Sequence, residues 1–172
     1  MIELVAPAPD FYDSWLVAED EFGDQHRDGS GFSGPRPSTD RPAYDAMVAD
    51  RLAMADPATP LPEGFVHCTF LWMVEDAEFV GYLAIRHSLT PYLLEEGGHI
   101  GYAVRPSRRQ QGHATRALRL ALPVAETLGI EQALVVCDDD NIGSYRTIEN
   151  NGGVLEDVRK GKRRYWIDTA AG

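Results

Sequence analysis

Cysteine is scarce in this chain: Cys68 and Cys137 are the only two in 172 residues. Small domains stapled by disulfides carry more, at closer spacing, so such a scaffold is excluded and both sulfurs are read as reduced thiols. The five histidines, at 26, 67, 87, 99 and 113, lack metal-ligand spacing, and no metal is expected. No apolar run approaches the roughly 20 residues that cross a bilayer. The N-terminus lacks the basic region and apolar stretch of a signal peptide. The expectation is a cytoplasmic protein with no membrane partner. Low-complexity segments and internal repeats are also absent. Basic residues are few, 16 Lys and Arg against 27 Asp and Glu, for a net charge of −11. That balance argues against a nucleic-acid-binding face. It suits a cationic substrate or partner, or simply a solvated acidic surface.

What is present is enough for one domain over 1–172. Apolar residues make up 44% of the chain, which supplies a sizeable core. The spacing predicts a strand at 2–5 and a helix at 10–22 with Asp10 as N-cap. A loop rich in Gly, Pro, Ser and Asp covers 23–42, and a second helix covers 43–54, stopped by Pro57, Pro60 and Pro62. Strands at 65–74 and 79–85 should pair around an acidic turn. Next come a strand at 99–104, a helix at 112–128 ending at Gly129 and kinked by Pro123, and a strand at 132–137. A helix at 141–151, closed by Gly152 and Gly153, precedes a hairpin of 154–158 and 164–167. The order β-α-α-β-β-β-α-β-α-β-β mixes local hairpins with one crossover. The expected fold class is mixed α/β (α+β): a mostly antiparallel twisted sheet with helices on both faces, rather than a doubly wound nucleotide fold. Residues 1–63 would form an N-terminal strand and two helices beside the core, and 64–167 the core itself.

Charge is distributed unevenly. Residues 1–60 carry twelve acids and four arginines, whereas 97–125 carry five arginines and no acid. Within that basic segment lies Arg109-Gln110-Gln111-Gly112-His113-Ala114, at the start of a helix. The first amides of a helix have no intrahelical partner and can be aimed at one phosphate or pyrophosphate. Gly112 lets the backbone approach closely, Ala114 obstructs little, and Arg108 and Arg109 add charge from the side. The plainer alternative is a helix start whose arginines face water. The motif is neither the GK[ST] phosphate loop nor the GxGxxG dinucleotide pattern.

Here the sequence resembles the GCN5-related N-acetyltransferase (GNAT) family, whose signature R/Q-x-x-G-x-G/A is matched by Arg109, Gly112 and Ala114. Asn141-Ile142-Gly143-Ser144, and then Asn151-Gly152-Gly153, look like the family's N-x-x-S/A element and its closing G-F, with Gly153 in place of the aromatic residue. The resemblance, to a bacterial subgroup of predicted acetyltransferases, spans about 64–167. It implies acetyl-CoA as cosubstrate and no metal. It also implies that amides around Gln110, Gln111, Gly112, His113 and Ala114 hold the pyrophosphate. The strand edge at Ala103 and Val104 would pair with pantetheine, and Asn141 and Ser144 would face the cofactor.

Acyl transfer to an amine needs a base, an oxyanion donor and a proton for the departing thiolate. His99 is the first candidate base, since the family often carries a glutamate there. In strand alternation it shares a face with Gly101 and Ala103, which leaves room for a ligand. Its alternative is a histidine hydrogen-bonded beside the core. His87 could orient substrate, or be a surface loop residue. Glu95 and Glu96 could attract a cationic amine, or form a solvated turn. The family commonly places a tyrosine seven residues after the asparagine; here that residue is Ile148. Tyr145 is then a candidate acid, with aromatic packing as its alternative, and Tyr102 or Ser144 could serve instead. Cys137 is read as buried packing. The reading is an acetyl-CoA-dependent N-acetyltransferase acting by direct attack on a primary amine of a small molecule or peptide. Two others stand beside it: an inactive acyl-CoA-binding regulatory module and a different phosphate-ligand binder. A free edge among the last strands would offer a place for a homodimer contact, though an edge alone proves none.

Overall fold

The computed structural model describes residues 1–34 and 36–171. One sheet has the order β1-β2-β3-β4, formed by Glu3–Val5, Cys68–Glu75, Glu78–Arg86 and Ile100–Val104, all antiparallel. β2 and β3 are long runs rich in β-branched and aromatic residues. They turn back through Asp76 and Ala77, both at positive φ (52° and 63°), the conformation that matches hairpin twist. A second sheet has the order β5-β7-β6, from Gln132–Asp138, Lys162–Asp168 and Val154–Arg159. Its β6–β7 turn uses Lys160 and Gly161, also at positive φ.

Alternation along β2 and β3 sends side chains to two cores. Trp72, Phe79 and Tyr82 face α1 (Tyr12–Phe22) and α2 (Arg41–Ala53), where they meet Trp15, Phe22, Tyr44 and Val48. Met73, Val80, Leu83 and Ile85 face the other way. They pack with Ala117, Leu118, Ala121 and Leu122 of α3 (His113–Thr127) and with Ile148 of α4 (Ile142–Glu149). Helices thus cover both faces, as expected for the class.

Several boundaries differ from the sequence reading. Asp10 is not a cap: Pro9–Phe11 forms a 3-10 turn and Phe11 precedes α1 without a side-chain cap. α2 starts earlier because the Asp40 carboxylate accepts the Ala43 N–H at 2.9 Å. Residues 65–67 lie outside β2. α3 runs through Pro123 as one helix. A π-helical turn at Leu93–Gly97, unforeseen, leads into β4.

Candidate active site

The two sheets meet at one residue. The His99 N–H donates to Leu134 O at 2.7 Å, and the Leu134 N–H donates to His99 Nδ1 at 2.9 Å. Beyond this seam, Ile100–Val104 on one side and Val136, Cys137 and Asp138 on the other line a single cavity of about 1020 Å³. Since the lining follows the seam in chain order on both strands, β4 and β5 run the same way and separate as they go. Gly98, at φ 64°, makes the seam feasible: a Cβ there would sit 2.5 Å from Leu134 O.

The cavity continues onto the start of α3. The first α-helical hydrogen bond there runs from Arg116 N–H to Gly112 O at 3.0 Å, so the amides of 113–115 lie ahead of the intrahelical ladder. Gln110 and Gly112 both take positive φ (61° and 81°), and a Cβ on Gly112 would meet nothing within 4 Å. Space is therefore open over the turn, as a phosphate-bearing ligand requires. Arg109 braces the turn: its Nε donates to Val104 O at 2.9 Å and its Nη2 to Gln25 Oε1 at 3.0 Å. Arg108 is paired with Glu75, which reduces the charge it offers a ligand. On the far wall the Asn141 carboxamide caps α4, accepting the Ser144 N–H at 3.1 Å. The Ser144 hydroxyl lies 2.9 Å from the Tyr102 hydroxyl. Burial pushes the Tyr102 phenol well above its ordinary pKa, so it stays protonated.

A family model described as "Acetyltransferase (GNAT) domain" matches residues 8–154. The chain belongs to the GNAT acetyltransferase family. It is an acyl-CoA-dependent N-acyltransferase, with acetyl-CoA as its cosubstrate. Solved structures share the fold of this GNAT acetyltransferase at low identity. A probable acetyltransferase superposes with TM-score 0.73 at 15% identity, covering 99% of this chain and 94% of the other. The microcin C7 self-immunity acetyltransferase MccE, in complex with acetyl-CoA and AMP, gives TM-score 0.68 at 14% identity, with coverages of 97% and 92%. Mycobacterium smegmatis RimJ, in complex with CoA-disulfide, also gives 0.68, at 18% identity and coverages of 99% and 83%. No curated protein sequence matches the chain.

In the GNAT cavity the structure gathers Ala103, Val104, Arg109, Gln110, Gly112, His113, Ala114, Asn141 and Ser144. Gln111 is exposed beside it, its side chain 3.3 Å from Ser107 O. The three residues expected to move protons lie elsewhere. His99 is 8% exposed and absent from the lining, and its Nδ1 is engaged at the seam. Burial, and then the Arg86 charge, lower its pKa to about 4, so the imidazole is a poor base at neutral pH. The hydrogen-bonded alternative fits this residue. His87 is turned to Thr69, whose hydroxyl lies 2.8 Å from Nε2, with the His67 ring tilted against it at 6.4 Å. Tyr145 packs on the main core under the Arg163 guanidinium, 4.4 Å from the ring centroid. None of the three is among the residues that line the cavity. Among the described residues no group of three or more His, Cys, Asp or Glu converges as a metal site.

Sequence reasoning missed His26 and Asp28, which line the cavity from the loop after α1. Arg27 between them points inward. Its Nε is 2.8 Å from Glu19 Oε2, and Nη1 and Nη2 donate to the carbonyls of Gln25 and Gly23. Burying Arg27 turns its two neighbours outward, with His26 Nε2 3.0 Å from Asp28 Oδ1. The only sequence signal was a His-Arg-Asp triplet inside a Gly- and Pro-rich loop.

Proposed function

We propose that this enzyme transfers the acetyl group of acetyl-CoA to a primary amine by direct attack within the cavity between β4 and β5. The observation that carries the proposal is the continuity of that cavity. Its walls carry the bare amides of α3, the Tyr102–Ser144 hydroxyl pair and the His26–Asp28 pair. A candidate phosphate clamp, a hydroxyl donor and a base thus share one cavity. An imidazole can accept a proton from an amine, and the Asp28 carboxylate orients the His26 ring. His26 takes the proton from the acceptor ammonium. The amine nitrogen bonds to the thioester carbon, and amides on the open edge of β4 polarise the carbonyl oxygen. As the carbon–sulfur bond breaks, the Tyr102 hydroxyl, coupled to Ser144, donates a proton to the thiolate; the nitrogen's second proton leaves to solvent, from which the phenol is reprotonated.

The test is thiol release from acetyl-CoA across a broad panel of amines. Wild-type enzyme is expected to release thiol with at least one acceptor. His26→Ala should slow transfer by about 100-fold or more, with acetyl-CoA binding retained. An unchanged rate would remove His26 from the mechanism. Acetyl-CoA binding without transfer to any amine would favour the non-catalytic acyl-CoA-binding module instead.

A further inference from the structure

Arg86, the last residue of β3, lines the same cavity at the end away from the phosphate turn. Its Nη1 donates to the carbonyls of Gly97 at 2.8 Å and Gly98 at 3.2 Å. Those bonds fix one arm of the fork and leave the charge uncompensated. Among the described residues no carboxylate lies within ion-pair distance of it, in a chain with 27 acids. Gly101 makes room for the other arm: a Cβ there would lie 3.4 Å from Nη2. The bare face of β4 therefore lets the guanidinium reach the cavity wall. A half-buried guanidinium bonded only to neutral carbonyls is poorly compensated, whereas a planar anion matches its fork with two parallel hydrogen bonds. The charged groups around it are sorted. Asp28 and Glu96 line the cavity beside it without pairing to it, and Asp138 is held by Lys162 at 2.5 Å. One end of the acceptor space thus attracts a cation and one residue attracts an anion.

We infer that the natural acceptor is an anionic primary amine, its carboxylate or phosphate held by Arg86 and its amine received by His26 and Asp28. The inference rests on the transfer reaction proposed above and names its substrate class. It narrows the expectation of a cationic substrate or partner: a polyamine would leave Arg86 unmatched and place positive charge against it.

Matched acceptors decide the question: amino acids, the corresponding amino-acid amides, and aminoalkyl phosphates of similar length. The wild-type enzyme should favour an anionic member over its neutral amide by about 10- to 100-fold in kcat/KM. Whether carboxylate or phosphate gives the larger ratio identifies the anion. Arg86→Gln keeps a donor for the Gly97 and Gly98 carbonyls but removes the charge, and should bring the ratio close to one. Arg86→Lys should retain part of it. Equal use of anionic and neutral amines by the wild type, or a preference that survives in Arg86→Gln, overturns the inference. If none of these amines turns over, their binding to the CoA-loaded protein is measured by calorimetry, and equal affinities for anionic and neutral members again overturn it. Failure to bind acetyl-CoA at all would strike the underlying reaction instead, so the two failures are distinct.

Discussion

His99 was attractive from the sequence because it stands on the central strand with small neighbours on its face. Alternation correctly identified open space beside Gly101 and Ala103, but it could not show that Leu134 comes close enough to donate to the imidazole. The role was decided by a contact 35 residues away. Since His99 must stay neutral to accept that bond, its effect on stability has a definite sign. Its folded pKa, about 4, lies below the ordinary 6.5. The unfolded chain therefore binds the proton first, and stability falls as pH drops from about 6.5 towards 4, by about 3 kcal/mol at the limit. Denaturant titrations of wild type and His99→Gln from pH 4 to 8 should show the variant less stable at pH 7 and with a shallower acid dependence. The pH profile of kcat should keep its shape in the variant. A lost acidic limb, the side on which a base takes up its proton, would restore His99 to the chemistry. His26 escaped notice for the opposite reason: it lies in a loop with no periodicity, and only the burial of Arg27 reveals which way it faces.

The loop after α1 acts as an element in its own right. Beyond the Arg27 anchor it touches the sheet at Gly29, where φ is 78° and a Cβ would lie 2.4 Å from Gly101 O. Gly29→Ala should cost on the order of 2–3 kcal/mol from strain and displacement together, and should lower transfer by shifting His26 and Asp28. Gly64→Ala is the control, since Gly64 has φ 84° with nothing within 4 Å of the added carbon. It should cost about 1 kcal/mol and leave the rate alone. Thermal unfolding and kcat/KM for both variants separate strain from displacement. At this scale the sequence was most readable where chain neighbours decide the outcome. The β2–β3 and β6–β7 hairpins and the Gly112 helix start were all visible in local residue chemistry. The π turn at Leu93–Gly97 and the single seam were not, because each depends on packing against distant chain.

Taken whole, the protein surrounds a cavity that divides its two sheets, and the described ligand-facing groups come from both. A ligand that spans them binds the folded state alone. Saturating acetyl-CoA, at about 100 times its Kd, should stabilise by about 2.7 kcal/mol and raise Tm by roughly 5–10 °C. Differential scanning fluorimetry with acetyl-CoA, free CoA and dephosphorylated pantetheine would divide that gain between the phosphate turn and the strand wall. An equal shift with pantetheine alone would show that the turn contributes nothing. The remaining consequence lies in the seam. Strands in a continuous sheet share load along a ladder, whereas here three backbone groups and one imidazole make the hydrogen-bonded join between the sheets. The molecule is therefore built like a book with a very short spine. A cosubstrate lying in the gutter would take the place of the missing rungs, so each turnover would begin by completing the sheet and end by leaving it incomplete again.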